Sequence, residues 1–331
     1  MSRGKPSPCQ LGFSDAMLTA LADSGDCKTD AGFDTRNYGL PNGVPELSRI
    51  MAELLGVHEN EIVLGGNSSL TMMYDAVCRA MFFGTDSVSA PWKDQGTVKF
   101  LCPAPGYDRH FAITERFGIE MLPVPMTGHG PDMDMVEALA QSDAAVKGMW
   151  CVPKYSNPTG ETYSEETVRR IASLRPAAPD FRVFWDMAYA LHDLDSTPDE
   201  LLNIFALTRG TENENLVLGF FSTSKITYAG AGVAMMISGA DNVKRARAEI
   251  AYQTISPDKM NQLRHARYLA CADNVRALMR RHASVLKPKF DTVTRVFQKE
   301  FSDCGFASWT EPHGGYFLSL DVLPGTARRT V

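Results

Sequence analysis

Short apolar runs recur along this chain, and each ends in a cluster of glycine, proline, serine or asparagine before a stretch with apolar residues every third or fourth position. Runs of this kind read as buried strands, and the stretches between them as helices. Residues 61–64 lead into Gly65-Gly66-Asn67-Ser68-Ser69, and a helical stretch follows over 70–83. Residues 98–102 lead into Pro103-Ala104-Pro105-Gly106-Tyr107. Strands at 119–124 and 146–152 bracket an acidic helix start, and Ser164 opens another helix with a cap pattern. Further runs at 183–185, 216–221, 233–238 and 314–320 complete the strand set. Strands alternating with helical segments predict an α/β fold with a mostly parallel sheet.

Outside that alternation the pattern changes. Residues 1–45 are rich in Gly, Pro, Asp and Ser, with one short helical pattern at 14–22, and read as a docking arm that forms part of a small domain. An amphipathic helix is expected over 45–55, stopped by Gly56. Helical stretches at 242–251 and from 257 through 300 predict a connection to a C-terminal part. The expected organisation is a large domain at 46–275 and a smaller α+β domain built from the first segment and residues 276–331.

Composition narrows the function classes. Hydrophobic residues make up 44% and charged residues 22% of the 331, which suits a globular enzyme. A net charge of −6, with no basic run, argues against a nucleic-acid partner. The seven cysteines are scattered without metal-ligand spacing, so reduced thiols and no metal site are expected. No apolar run approaches a membrane span and the start lacks a signal peptide's apolar core, so the expected location is cytoplasmic.

The chemistry concentrates after three of the strands. Lys225 stands in Ser222-Thr223-Ser224-Lys225 directly behind the run at 216–221, where a charge is costly unless the nitrogen is put to use. Asn157-Pro158-Thr159-Gly160 follows the run at 146–152, and Asp186-Met187-Ala188-Tyr189 follows the run at 183–185. The three motifs are spaced by single strand–helix–strand steps, and functional groups just after strands are where open α/β sheets bind ligands.

In this order and spacing the motifs resemble the fold-type I pyridoxal-phosphate enzymes, and within them the class I aminotransferases, most of all a divergent aspartate aminotransferase group. The resemblance implies a three-layer cofactor domain and pyridoxal 5′-phosphate bound as a Schiff base on Lys225, with Lys225 also shuttling the substrate proton. It implies that Asp186 pairs with the pyridine nitrogen, that Asn157 and Tyr189 hydrogen-bond the ring oxygen, and that Tyr107 stacks on the ring. Gly66, Asn67 and Ser68, at a glycine turn before a helix, would hold the phosphate with Ser222 and Ser224. Tyr38 would reach the phosphate of a partner subunit in a homodimer with shared active sites, and Gly4 would approach the substrate together with Asn157. Arg109 and His110, taken alone, read as solvated helix residues.

The implied reaction moves an amino group between an amino acid, expected to be aspartate, and a 2-oxo acid, expected to be 2-oxoglutarate. A lyase or decarboxylase on the same scaffold, or an inactive cofactor-binding fragment, are the alternatives, because the cofactor site does not choose the bond that breaks. Three departures from the family stand out. The phosphate-binding arginine seven or eight residues past the lysine is replaced by Gly232 and Val233. The substrate-carboxylate arginine would lie beyond the Gly314-Gly315-Tyr316-Phe317 segment; Arg328 and Arg329 do not match its motif, so the C-terminal domain is expected to be truncated. Tyr252-Gln253-Thr254-Ile255, where the family places a partner arginine for dicarboxylates, holds no basic residue.

Overall fold

A computed structural model of the chain describes residues 4–86 and 88–323. It begins with α1 (Pro8–Gly12), α2 (Pro45–Leu55), β1 (Ile62–Leu64) and α3 (Ser69–Phe83). Next come β2 (Lys99–Ala104), α4 (Asp108–Arg116), β3 (Glu120–Pro125), α5 (Met133–Ser142), β4 (Val146–Cys151) and α6 (Glu165–Ala172). Then follow β5 (Arg182–Asp186), α7 (Ile204–Thr208), β6 (Val217–Ser222), β7 (Ala234–Ile237) and α8 (Ala240–Gln253). The chain continues through α9 (Lys259–Leu269), α10 (Ala272–Phe301), β8 (Ala307–Trp309) and β9 (Leu320–Val322).

Among the described residues, seven strands form one sheet in the order β1-β7-β6-β5-β4-β2-β3. Strands β2 to β6 pair in parallel, and β7 runs antiparallel to β1 and β6. Successive side chains point to opposite faces, so each strand feeds two cores. Met149, Val183, Trp185, Phe221 and Met235 pack with α2, α5, α6, α9 and α10 on one face. Phe100, Trp150, Phe184, Phe220 and Met236 pack with α3, α4 and α8 on the other. The result is the three-layer, mostly parallel α/β architecture expected from the alternation.

Local signals explain the element ends. Pro45 sits in the first turn of α2, and Gly56 ends that helix in the left-handed conformation at φ 65. Ser68, Asp132 and Ser164 cap α3, α5 and α6 through their side-chain oxygens. Among the described residues, no helix is long and apolar enough to cross a membrane.

Three expectations are corrected. The helical pattern at 14–22 forms a short 3-10 helix at Asp15–Thr19, and α1 precedes it behind a Ser7/Gln10 capping box. The stretch from 257 through 300 is two helices, because Ala270 adopts φ 60 and Cys271 is extended, which breaks the backbone ladder. The run at 314–320 is not a strand: only Leu320 enters β9, and Gly314 makes an isolated bridge to Asp193. A Cβ on Gly314 would come within 2.1 Å of the Tyr155 ring, so the glycines lie flat on that aromatic face instead of joining a ladder. Arg328 and Arg329 lie outside the described residues.

The strand ends away from Lys225 are pinned by a buried network. Lys147 Nζ donates to Asp180 and to Gln95 Oε1, each at 2.7 Å, and Gln95 Nε2 donates back to Asp180 at 2.8 Å. Removing one charge strands the other in the interior. Lys147→Met should therefore lower unfolding free energy by about 3–5 kcal/mol, and adding Asp180→Leu should restore most of it, as read by urea denaturation.

Candidate active site

Behind β6 the chain makes one 3-10 turn, Thr223–Lys225, that lifts Lys225 off the end of the sheet. The buried Thr223 organises the turn: its hydroxyl accepts from Val233 N at 2.9 Å, and its carbonyl accepts from the amides of Ile226 and Thr227. Lys225 Nζ lies 5.0 Å from the centre of the Tyr189 ring. Burial pulls the ammonium pKa below its usual value, and the Asp186 carboxylate opposes that pull.

Three buried histidines from three different elements hold consecutive residues of the lysine segment. His192, in the loop after β5, donates from Nε2 to the Lys225 carbonyl at 3.3 Å. His282, on α10, donates from Nε2 to the Ile226 carbonyl at 2.9 Å, while Gln10 Nε2 donates to its Nδ1 at 3.1 Å. His265, on α9, donates from Nδ1 to the Asn261 carbonyl at 2.8 Å and accepts the Thr227 hydroxyl at Nε2, 2.9 Å away. Carbonyls only accept, so these partners fix one tautomer of each neutral ring. Burial drives the His192 pKa down to about 3 and that of His265 to about 4, and it lowers that of His282.

Asp186 closes β5 and is 4% exposed. Its carboxylate accepts from Ala188 N and from His110 Nε2, both at 3.1 Å. His110 in turn stacks on Trp150 with ring centres 4.5 Å apart, and Trp150 Nε1 donates to the Thr114 hydroxyl, which donates to the His110 carbonyl. The reading of His110 as a solvated helix residue is thus corrected: it is 1% exposed and supports Asp186 from below. A signal for this was present, since His110, Ile113 and Thr114 fall on one face of α4.

The other expected residues gather around this floor. Burial and the Asp186 carboxylate raise the Tyr189 phenol pKa, and the Asn157 side chain opposes that rise. Tyr107, at the start of α4, lies edge-on to His110 at 5.0 Å, and burial together with Asp186 raises its phenol pKa. Tyr189 also meets the Phe317 ring at 6.1 Å, and Gly4 packs so closely on Tyr316 and Phe317 that a Cβ there would come within 2.9 Å of both. On the facing rim, Ser224 Oγ donates to the Asn67 carbonyl at 3.1 Å, and Asn67 Nδ2 donates to the Gly230 carbonyl at 3.4 Å. This joins Gly66, Asn67 and Ser68 to the lysine turn, with Ser222 at its base. Tyr38 is 77% exposed, and this chain does not bring it to the cluster. Gly232 stands where the family has its arginine; a Cβ there would lie 2.6 Å from Ser224 Oγ, so the turn leaves no room for a side chain.

The donor set is a buried amine, a buried carboxylate, a phenol–amide pair and a hydroxyl-lined helix start. It suits a flat ligand with a basic ring nitrogen, a carbonyl and an anionic group.

The histidine pKa values give a stability prediction. A base whose folded pKa is lowered leaves the unfolded chain binding more protons, so stability is complete above 6.5 and is lost as pH falls. His192 and His265 should each remove up to about 1.4 kcal/mol per pH unit below 6.5, until their folded values near 3 and 4 are reached. Unfolding free energies measured across that window should show a shallower slope in His192→Gln; an unchanged slope would count against a neutral, buried His192.

Comparison with known proteins gives the family. The family described as aspartate amino-transferase matches residues 1–331. A protein of Mycolicibacterium smegmatis named as an aminotransferase is 50% identical over 332 residues, covering 100% of this chain and 78% of its own. Aspartate aminotransferase of Corynebacterium glutamicum is 48% identical, covering 99% of this chain and 76% of its own. The crystal structure of an aspartate transaminase from Corynebacterium glutamicum superposes with a TM-score of 0.95 at 49% identity, over 99% of this chain and 77% of that one. LysN, an α-aminoadipate aminotransferase from Thermus thermophilus, shares the fold with a TM-score of 0.77 at 19% identity, over 99% of this chain and 77% of its own. The chain belongs to the aspartate amino-transferase family and is a fold-type I enzyme of the transaminase class.

Proposed function

We propose that this transaminase moves an amino group between aspartate and 2-oxoglutarate, with pyridoxal 5′-phosphate held covalently by Lys225. The observation that carries the reading is the Lys225 amine, half-buried beside the Tyr189 ring and within the field of Asp186. When bound, the cofactor supplies a carbonyl that captures amines and a ring that takes up the electron pair left at the substrate α-carbon.

The chain's own residues would do the rest. A lowered pKa keeps more of Lys225 as the free amine, the form that binds a carbonyl and accepts a proton at Nζ. Asp186, fixed by His110 and the Ala188 amide, would keep a proton on the ring nitrogen. Tyr189 and Asn157 would hydrogen-bond the ring oxygen, and Tyr107 would cover one ring face. Ser222, Ser224, Gly66, Asn67 and Ser68 would hold the phosphate at the start of α3. For Ser224 this means turning its O–H away from the Asn67 carbonyl, a cost of one neutral hydrogen bond. Without an arginine at Gly232, the phosphate would rely on the helix start and on these hydroxyls.

Substrate and assembly follow the same reading. Asn157 and Gly4 would meet the substrate, Gly4 from its seat on Tyr316 and Phe317. The exposed Tyr38 would serve the phosphate of a second copy, which makes the working unit a homodimer with shared sites. Aspartate is favoured because relatives that share 48–49% identity bear that name.

Borohydride treatment of the loaded wild-type chain should fix the cofactor to the peptide that contains Lys225, whereas Lys225→Ala should give no adduct. The same substitution should lower the rate of oxaloacetate formation from aspartate and 2-oxoglutarate by about 10²–10⁴-fold, the range that general acid–base catalysis supplies. An adduct in Lys225→Ala would refute the tether. Release of more than one product per active site without a 2-oxo acid acceptor would refute transamination in favour of a lyase.

A further inference from the structure

Strand β5 carries Asp186 at one end and Arg182 at the other, and Arg182 opens onto a second pocket at the end of the sheet remote from Lys225. An inner cavity of about 50 Å³ has a largely apolar wall, with Arg79, Thr85, Trp92, Arg182, Asn242 and Arg245 as its remaining border and no acidic residue in its lining. It adjoins a cleft of about 830 Å³ that shares Thr85, Arg182, Asn242 and Arg245.

The inner pocket holds polar groups that the protein does not satisfy. Trp92 is 0% exposed, and its Nε1–H has no hydrogen-bond partner among the described residues. Thr85 Oγ1 and Arg79 Nη1 are also buried without one. Native interiors pair such groups almost without exception, and an indole N–H can only donate.

The nearby acids leave this demand in place. Asp86 stands 3.9 Å from Arg182 and Glu249 stands 3.8 Å from Arg245, beyond hydrogen-bond reach. Asp75 and Glu249 oppose the loss of charge at Arg79, yet its Nη1 remains unpaired. Arg182 donates to the Pro179 and Phe181 carbonyls and Arg245 to that of Phe83, and each is also paired with a carboxylate, Asp86 or Glu249, that stands too far away to satisfy its remaining N–H groups. Buried guanidinium and indole donors around a small cavity match the several acceptor oxygens of an oxyanion.

We propose that this pocket binds a small oxyanion, with Arg79, Thr85 and Trp92 donating to its oxygens and Arg182 and Arg245 balancing its charge. The shared chemistry is that of a phosphate or a carboxylate, either free or as the anionic end of a small molecule whose remainder lies in the outer cleft.

The test is calorimetric titration of the cofactor-loaded enzyme, in which the phosphate cup at Ser222 and Ser224 is already filled, with inorganic phosphate and, separately, acetate at matched sodium chloride. One site per chain is expected. Arg79→Met should weaken it by about 10-fold or more, and the conservative Trp92→Phe by about 3- to 10-fold. Ser224→Ala should leave it unchanged, which separates this pocket from the cup. Tighter phosphate than acetate identifies a phosphate site, and the reverse a carboxylate site. At one phosphate concentration, the melting temperature of the wild type should also rise more than that of Trp92→Phe, a variant that keeps the ring's bulk. Equal binding by the wild type and Arg79→Met, or no binding of either anion below about 50 mM, overturns the proposal.

Discussion

Burying an amine is the constraint around which this molecule is arranged. An ammonium group under protein is costly unless a neighbour compensates it, and Lys225 is given one partial compensation, the Asp186 field, without a direct ion pair. A residue left in that state is poised to lose its proton, and a flexible lysine in a loose turn would escape to water instead. The turn is therefore not loose. Its carbonyls and hydroxyl are gripped by His192, His282 and His265, and Thr223 ties its start to Val233.

Neutral imidazole suits that work better than a charged side chain. A lysine or arginine donating to the same carbonyls would add positive charge beside the amine and disturb it further. A buried histidine donates from one nitrogen and keeps no net charge, and its second nitrogen can be tied elsewhere, as Gln10 ties His282 and also reaches the Tyr316 hydroxyl at 3.1 Å. Through Gln10, the N-terminal segment, the lysine turn and the Gly314–Phe317 region are one connected structure, in which Gly314 must lack a side chain because the Tyr155 ring occupies its place.

The sheet divides the molecule into two chemical ends. At one end, strand termini deliver Asp186 and Ser222, and the loops behind β4 and β6 add Asn157 and Lys225. At the other, Lys147 and Asp180 lock β4 to the approach of β5, and Arg182 begins β5 beside the arginine pocket. Five residues of one buried strand thus join the two ends, with apolar side chains from Val183 to Trp185 sealing each from the other.

Much of this was written locally. Short apolar runs and helical periodicity placed the strands and most helices, since burial is a property of neighbouring positions. The motifs ending at Asn157, Asp186 and Lys225 were legible because a strand followed by a sharp turn leaves a recognisable run of residues, and their order fixed the side of the sheet they share. Tertiary structure alone decided what supports them. His192, His265 and His282 are single histidines on unrelated segments, and His110 looked like a surface residue until Asp186 and Trp150 closed over it. The break at Ala270 and the loop at Gly314 were equally hidden, one in a continuous helical pattern and the other in an apolar run. Arg79, Arg182 and Arg245 share no motif and meet only because α3, β5 and α8 pack together. Periodicity records which side of an element faces inward; which partner waits there depends on residues far along the chain, and only the folded chain brings them into reach.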